Sequence, residues 1–249
     1  MRIDFLTLFP EMCERVTSES IIGRAVAKGL LEFHFHQIRD YTENRQKQVD
    51  DAPFGGGMGM LMQAQPIYDC YKAACADCDI EPHVIFMSPR GKVLTQQRAN
   101  ELAKLPRLMF ICGHYEGVDQ RVIDEIAPEE ISIGDYVLTG GELPSLVVAD
   151  TVCRLVDGVL SDETCFTEES HYNGLLEYPQ YSRPRVWRDR EVPEVLLTGH
   201  HANIEKWRRE QSLLITKQCR PDMLEKAELT KKDKQFLKSL EEIVVEDEE

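Results

Sequence analysis

The sequence predicts an α/β protein: a mostly parallel sheet in an N-terminal domain, followed by a small helical C-terminal domain. Three observations carry this. Short apolar runs near residues 2–9, 31–38, 83–87, 107–112 and 130–133 alternate with stretches of helical period, the pattern of strand–helix–strand units. Three of these runs end in segments built round Gly or Pro: Ser88-Pro-Arg-Gly91, Gly113-His-Tyr-Glu-Gly117 and Gly134 to Gly141. Ligands of open α/β sheets sit at the carboxyl ends of strands, so the three loops are expected to converge on one site. After Gly158 the texture turns polar and acidic, which divides the chain into a domain over 1–160, a linker over 161–172 and a helical domain over 173–249.

Each element follows from its own pattern. Arg2 to Phe9 alternates and reads as a strand, and Pro10 opens a helical stretch ending near Gly29. Leu31 to Ile38 is a second strand, with Phe33 and Phe35 on one face and His34 and His36 on the other, a solvated face rather than a metal site. Asp40 to Pro53 is a polar loop. In Phe54-Gly-Gly-Gly-Met-Gly-Met60, four glycines in five residues exclude a helix or strand, and without a following Lys this is not a phosphate-binding loop. Helices are expected over 65–76, 94–105, 118–126 and 142–156, with Asp119 as a possible cap. Strands are expected at 83–87, ended by Ser88-Pro89, and at 107–112 and 130–133. On the polar side of the 142–156 helix Asp150 and Arg154 stand four apart, either as an ion pair or with the Arg aimed at a substrate.

Beyond the linker, residues 174–184 carry two prolines and run extended. Arg183, Arg185, Arg188 and Arg190 sit with Trp187, which suits either RNA stacking or a plain solvated loop. Asn203 is placed as N-cap of a helix with Ile204, Trp207, Gln211, Leu214 and Ile215 on one face. Thr230 with Asp233 resembles a capping box before a final amphipathic helix carrying Phe236, Leu237, Leu240, Ile243 and Val244. Glu246 to Glu249 is an acidic tail.

The 249 residues carry a formal net charge of -15, which argues against sequence-blind nucleic-acid binding and leaves room for a local basic surface. No signal pattern and no membrane-length apolar run is evident, so the 8 cysteines are expected as reduced thiols in a cytoplasmic protein. Cys75 and Cys78 lack the second pair that a zinc site needs. Residues 131–144, Ile-Ser-Ile-Gly-Asp-Tyr-Val-Leu-Thr-Gly-Gly-Glu-Leu-Pro, contain no Lys or Arg. Their glycines and apolar side chains suit a flat, mostly apolar ligand held by main-chain groups rather than a phosphate, although Tyr136 and Leu138 also read as core.

Seven motifs occur in order: Phe54 to Met60, Ser88 to Gly91, Cys112-Gly-His-Tyr-Glu-Gly-Val-Asp119, Ile133 to Pro144, Gly174-Leu-Leu-Glu-Tyr-Pro179, Ser182-Arg-Pro184 and Leu197-Thr-Gly-His-His-Ala202. Together they resemble the bacterial tRNA (guanine-N1)-methyltransferases of the SPOUT superfamily. The resemblance implies a trefoil knot in the N-terminal domain, S-adenosylmethionine bound against the three loops, and a homodimer with its active site at the subunit interface. It implies methylation of N1 of guanosine 37 in tRNA, next to the anticodon. For the cofactor it implies Pro89, Gly113, Glu116, Ile133, Gly134, Asp135, Tyr136, Val137, Leu138, Gly140 and Gly141. For catalysis it implies Glu169 as base, where the family usually has Asp, and Arg154 facing O6. Glu168 is the fallback base. The extra methylene of Glu extends its reach by about 1.5 Å. His114 stands where an Arg is expected. Mg²⁺ is possible, arriving with water and RNA, because no cluster spells a metal cage. The competing readings are a catalytically impaired RNA-binding homologue and an enzyme for another nucleotide; the lack of Gly-x-Gly-x-x-Gly after the first strand disfavours the latter.

Overall fold

Strand β1, Arg2–Thr7, lies inside a five-stranded sheet with β2 (Glu32–Gln37), β5 (His83–Val93), β6 (Arg107–Ile111) and β7 (Glu129–Ser132). The order is β2-β1-β6-β5-β7, and every pairing is parallel. This computed structural model describes residues 1–161 and 169–246, with side chains of the last helix described as far as residue 240. The chain forms two units, Met1–Asp162 and Glu163–Glu249.

The apolar runs are continuous because the inner strands are covered on both faces. On one face Ile3, Phe5, Ile85, Leu108 and Phe110 pack with Cys13 of α1 (Pro10–Thr17), Ile22 of α2 (Ser20–Ala27), Leu102 of α4 (Gln96–Leu102) and Val148 of α6 (Glu142–Cys153). On the other, Leu6, Met109 and Ile111 pack with Ile67 of α3 (Ala64–Ala76) and Val122 of α5 (Gln120–Ile126). Asp119 caps α5 by accepting from the Arg121 amide.

Three local expectations change. The stretch from Pro10 to Gly29 is two helices, because Ser20 takes a left-handed φ of 54° and turns the chain between them. Ser88-Pro89 does not end its strand. β5 runs on to Val93 through a bulge, with Met87 and Lys92 both opposite Ile131. The Ser88 hydroxyl accepts from the Arg90 amide, satisfying a group that the bulge takes off the ladder. Asp50–Asp51 (β3), expected in a loop, pairs antiparallel with Leu61–Met62 (β4) and closes the Gly-rich loop, on which Phe54 is 99% exposed.

Below the sheet's carboxyl ends, Asp4 and Arg107 are both buried and bonded, Nε to Oδ2 at 2.8 Å. Arg2 and His36 bond the same carboxylate, so His36 is not on a merely solvated face. Burial alone raises the Asp4 carboxyl, but hydrogen bonds from His36, Arg2 and Arg107 outweigh it and hold the group well below the usual carboxylate range. Arg107 also donates to the carbonyls of Ala74 and Ile80, each at 2.7 Å.

In the second unit the helix His201–Cys219 begins at His201 with His200 as its cap, so Asn203 lies within the first turn. Its most buried residues are Ser212, Leu213 and Thr216 rather than the larger side chains of the expected face. Thr216 is drawn in because its hydroxyl accepts from the Leu176 amide at 2.9 Å and donates to the Ser212 carbonyl. Thr230 and Asp233 exchange backbone-to-side-chain bonds as the expected capping box, and Arg209 bonds the same carboxylate at 2.8 Å. With Arg209 as the largest influence, Asp233 is held down to about 2. Residues 162–168 of the expected linker, Glu168 among them, and 247–249 of the acidic tail lie outside the described residues. Among the described residues the cysteines are free thiols.

Candidate active site

The bulge of β5 and the loops after β6 and β7 surround a cavity of about 390 Å³, within the range of small-molecule sites. Pro89 comes from the β5 bulge, and Gly113 and Glu116 from the loop after β6. Ile133, Gly134, Tyr136, Val137, Leu138, Gly140 and Gly141 come from the loop after β7. The three segments therefore line one cavity, although the first is a bulge within β5 rather than a strand end, and Asp135 is not part of the lining.

Backbone contacts lock the loops together. The Gly141 amide donates to the Gly113 carbonyl at 2.7 Å, and His114 bridges Gly140. A Cβ on Gly141 would stand 2.7 Å from the Gly113 nitrogen and 2.8 Å from Cys112 Cα. Both obstacles are main chain, so no rotamer relieves them. Gly141→Ala is therefore expected to cost about 1–3 kcal/mol, the range for overpacking. The melting temperature should fall by several degrees in a thermal scan. An unchanged melting temperature would show that the loops part freely.

The loop after β7 curls on itself. Gly134 adopts φ 145°, its amide donates to the Ser132 hydroxyl at 3.1 Å, and its carbonyl accepts from the Tyr136 amide at 3.0 Å. Tyr136 is 57% exposed and Leu138 40%, so neither is core; both stand at the cavity wall. Across from them, the Glu116 side chain lies over Gly59, where a Cβ would come within 2.7 Å of Oε1. The Gly-rich loop and the cavity wall thus touch, and the Glu116 amide also donates to the Met60 carbonyl at 3.0 Å.

Tyr115 and the buried Glu142 were given no role from sequence. Tyr115, with φ 60°, lines the cavity and its hydroxyl accepts from Arg39 at 3.2 Å. Glu142, at the start of α6 and outside the cavity lining, is buried, its Oε1 accepting from the Thr7 hydroxyl at 2.7 Å. It lies inside the 131–144 motif, so only its partner was hidden. His114 places its ring against Phe9 and Tyr115, centroids 5.2 and 5.0 Å away. Its buried Nδ1 has no hydrogen-bond partner among the described residues. That nitrogen is packed toward Gly140, where an added Cβ would stand 2.7 Å from it.

Arg154 caps the carboxyl end of α6, its amide donating to the Asp150 carbonyl at 3.2 Å. Glu169 belongs to the second unit, where its carbonyl accepts from the Tyr172 amide. Among the described residues no group of three His, Cys, Asp or Glu is placed to hold a metal ion. Nor is any helix among them long and apolar enough to cross a membrane.

A parallel sheet with a mostly apolar cavity at the β5 bulge and the loops after β6 and β7 is the arrangement of α/β proteins that take small ligands at the carboxyl side of the sheet. The model of the family described as tRNA (Guanine-1)-methyltransferase TrmD matches residues 1–226. The chain is 59% identical over 226 residues to a tRNA (guanine-N(1)-)-methyltransferase of Ruminiclostridium cellulolyticum, covering 91% of this chain and 97% of that one. It is 55% identical over 239 residues to the protein of the same name from Clostridium novyi, covering 95% and 97%. It is 53% identical over 245 residues to that of Alkaliphilus oremlandii, covering 96% and 98%. The chain belongs to the tRNA (guanine-1)-methyltransferase family.

Proposed function

We propose that this chain methylates N1 of guanosine 37 in tRNA, in the cytoplasm, with S-adenosylmethionine as donor. The family match over residues 1–226, falling on a chain whose three motif loops enclose one cavity, carries the reading. The cavity suits the donor. Apolar Ile133 and Leu138 and the exposed ring of Tyr136 suit adenine, and Gly113 and Gly141 stand in the same wall. The Glu116 carboxylate suits a cationic centre.

S-adenosylmethionine, when bound, supplies a methyl group on a sulfonium already activated for transfer. The chain's task is the nucleophile, because guanine N1 carries a proton near neutral pH. Glu169 is assigned as the base that takes it, and the freed lone pair forms the new bond to carbon as the carbon–sulfur bond breaks. Arg154 is assigned to O6, where negative charge builds.

A homodimer belongs to this reading. Helices α1 and α6 pack side by side, and Phe9, Met12 and Val16 at α1 and Leu143 and Val147 on α6 are exposed apolar side chains. A second copy covering that face would bury them. A trefoil knot belongs to it as well, as the family resemblance implies.

The test is methyl transfer from labelled S-adenosylmethionine to tRNA transcripts. Transcripts with guanosine at 37 should accept the label and those with adenosine there should not; no transfer to either refutes the reading. Arg154→Ala should lower kcat at least tenfold with tRNA affinity within about threefold, as expected for a group acting mainly in the transition state. The opposite split in a filter-binding and rate comparison would make Arg154 a positioning residue.

A further inference from the structure

The second unit carries a feature that the donor cavity does not use. Val186–Trp187 and Arg190–Glu191 form a two-stranded antiparallel hairpin, with Trp187 opposite Arg190. Its two-residue loop is Arg188-Asp189, at φ 49° and 63°. Two consecutive left-handed residues are the signature of a type I′ turn, whose preferred sequence is Asn-Gly. Here Asp189 is a residue that tolerates the left-handed region, but Arg188 carries a long cationic side chain at a position the backbone reserves for Asn, Asp or Gly. A turn sequence set against its own geometry, on an exposed tip, points to selection for the side chains rather than for the turn.

Those side chains form one surface. Trp187 is 59% exposed, and the Arg188 guanidinium stands over its ring, 4.9 Å from the centroid. Arg183, Arg185, Arg188 and Arg190 fall within eight residues that hold a single carboxylate, Asp189, although the whole chain carries a net charge of -15. All four are exposed. Arg185 is in reach of Glu191 at 3.7 Å, with both side chains more than half exposed, a pair too wet to hold the guanidinium against a stronger anion.

We propose that this hairpin is an RNA contact, in which Trp187 stacks on a nucleobase and Arg188, with Arg185 and Arg190, takes the flanking phosphates. An indole offers a sequence-tolerant platform for any base, a stacked guanidinium extends it, and phosphates supply the charge that four clustered arginines match. The occupant is the tRNA of the proposed methyl transfer, so the inference rests on that reading. The hairpin acts in holding the substrate and takes no part in the chemistry.

Two variants of the full-length protein test it by steady-state kinetics with a tRNA transcript. Trp187→Ala should raise the KM for tRNA about tenfold, the loss of one base stack, with kcat within twofold. The double change Arg188→Asn with Asp189→Gly installs the preferred turn while removing the cation. It should raise the KM, and lower the slope of log affinity against log salt by about 0.7–0.9, while the melting temperature stays or rises. A hairpin of purely structural value would show the reverse: a better turn, an unchanged KM and an unchanged salt slope. Unchanged KM in both variants overturns the proposal and leaves the hairpin to an acidic protein partner. A wild-type protein that methylates no transcript refutes the proposed function instead, a result separable from variants that match an active wild type.

Discussion

Glu169→Gln is expected to cut the turnover number by about 10²–10⁴-fold, the usual contribution of a positioned general base, and to leave S-adenosylmethionine affinity within about twofold. The separation follows from the layout. The residues proposed to hold the donor line a cavity made entirely by the first unit, whereas Glu169 belongs to the second. The amide keeps the side chain's size and hydrogen-bonding reach but cannot accept the N1 proton. Glu169→Asp should keep measurable activity, since the carboxylate survives and only its reach shortens by about 1.5 Å. Single-turnover transfer to a guanosine-37 transcript, with donor binding followed by calorimetry, checks both. If Glu169→Gln turns over normally, the base lies elsewhere, and Glu168 is the next to replace.

Asp4→Asn is expected to destabilise the first unit by about 3–5 kcal/mol at neutral pH, the range for breaking a buried ion pair on one side. The change leaves Arg107, itself fully buried, with carbonyl partners but no counter-charge. The pH dependence has a definite sign. Because the folded Asp4 carboxyl lies below its unfolded value near about 4, its contribution is fully present above that value and is lost as pH falls towards the folded one. Wild-type stability should therefore decline below about pH 5 more steeply than that of the Asn variant, and the two curves should approach each other in acid. Urea unfolding at pH 7 and in mildly acidic buffer measures this. Parallel curves offset by a constant amount would show that the depressed carboxyl is not the source. Reduced donor binding at neutral pH is expected only in step with lost stability, since Asp4 is not part of the cavity lining.

The two predictions differ in how far the sequence prepared them. Glu169 as base is what the family resemblance implies, and nothing in the residues around it in the sequence marks it as one. Asp4 gave no signal at all: a charged residue among Ile3, Phe5 and Leu6 reads as the exposed face of an alternating strand. Only the sheet order, which sets β1 beside β6, brings Arg107 to it. The same holds for His36, whose solvated look disappears once β2 lies beside β1.

What the sequence determined was the alternation of strands and helices, the three Gly- or Pro-containing segments that meet at one cavity, and, through seven ordered motifs, the family. These are legible because strand and helix burial leave periods of two and 3.6 in neighbouring residues, and because glycines mark backbone that departs from both. Only the tertiary structure decided that Ser88-Pro89 is a bulge inside a longer strand, that Gly141 seats on the Gly113 backbone, and that Tyr136 and Leu138 stand at a wall rather than in the core. It alone paired Asp4 with Arg107 across 103 positions and Thr7 with Glu142 across 135. A contact between such distant residues is created by chain crossovers, and it leaves no period in the local sequence from which it can be read.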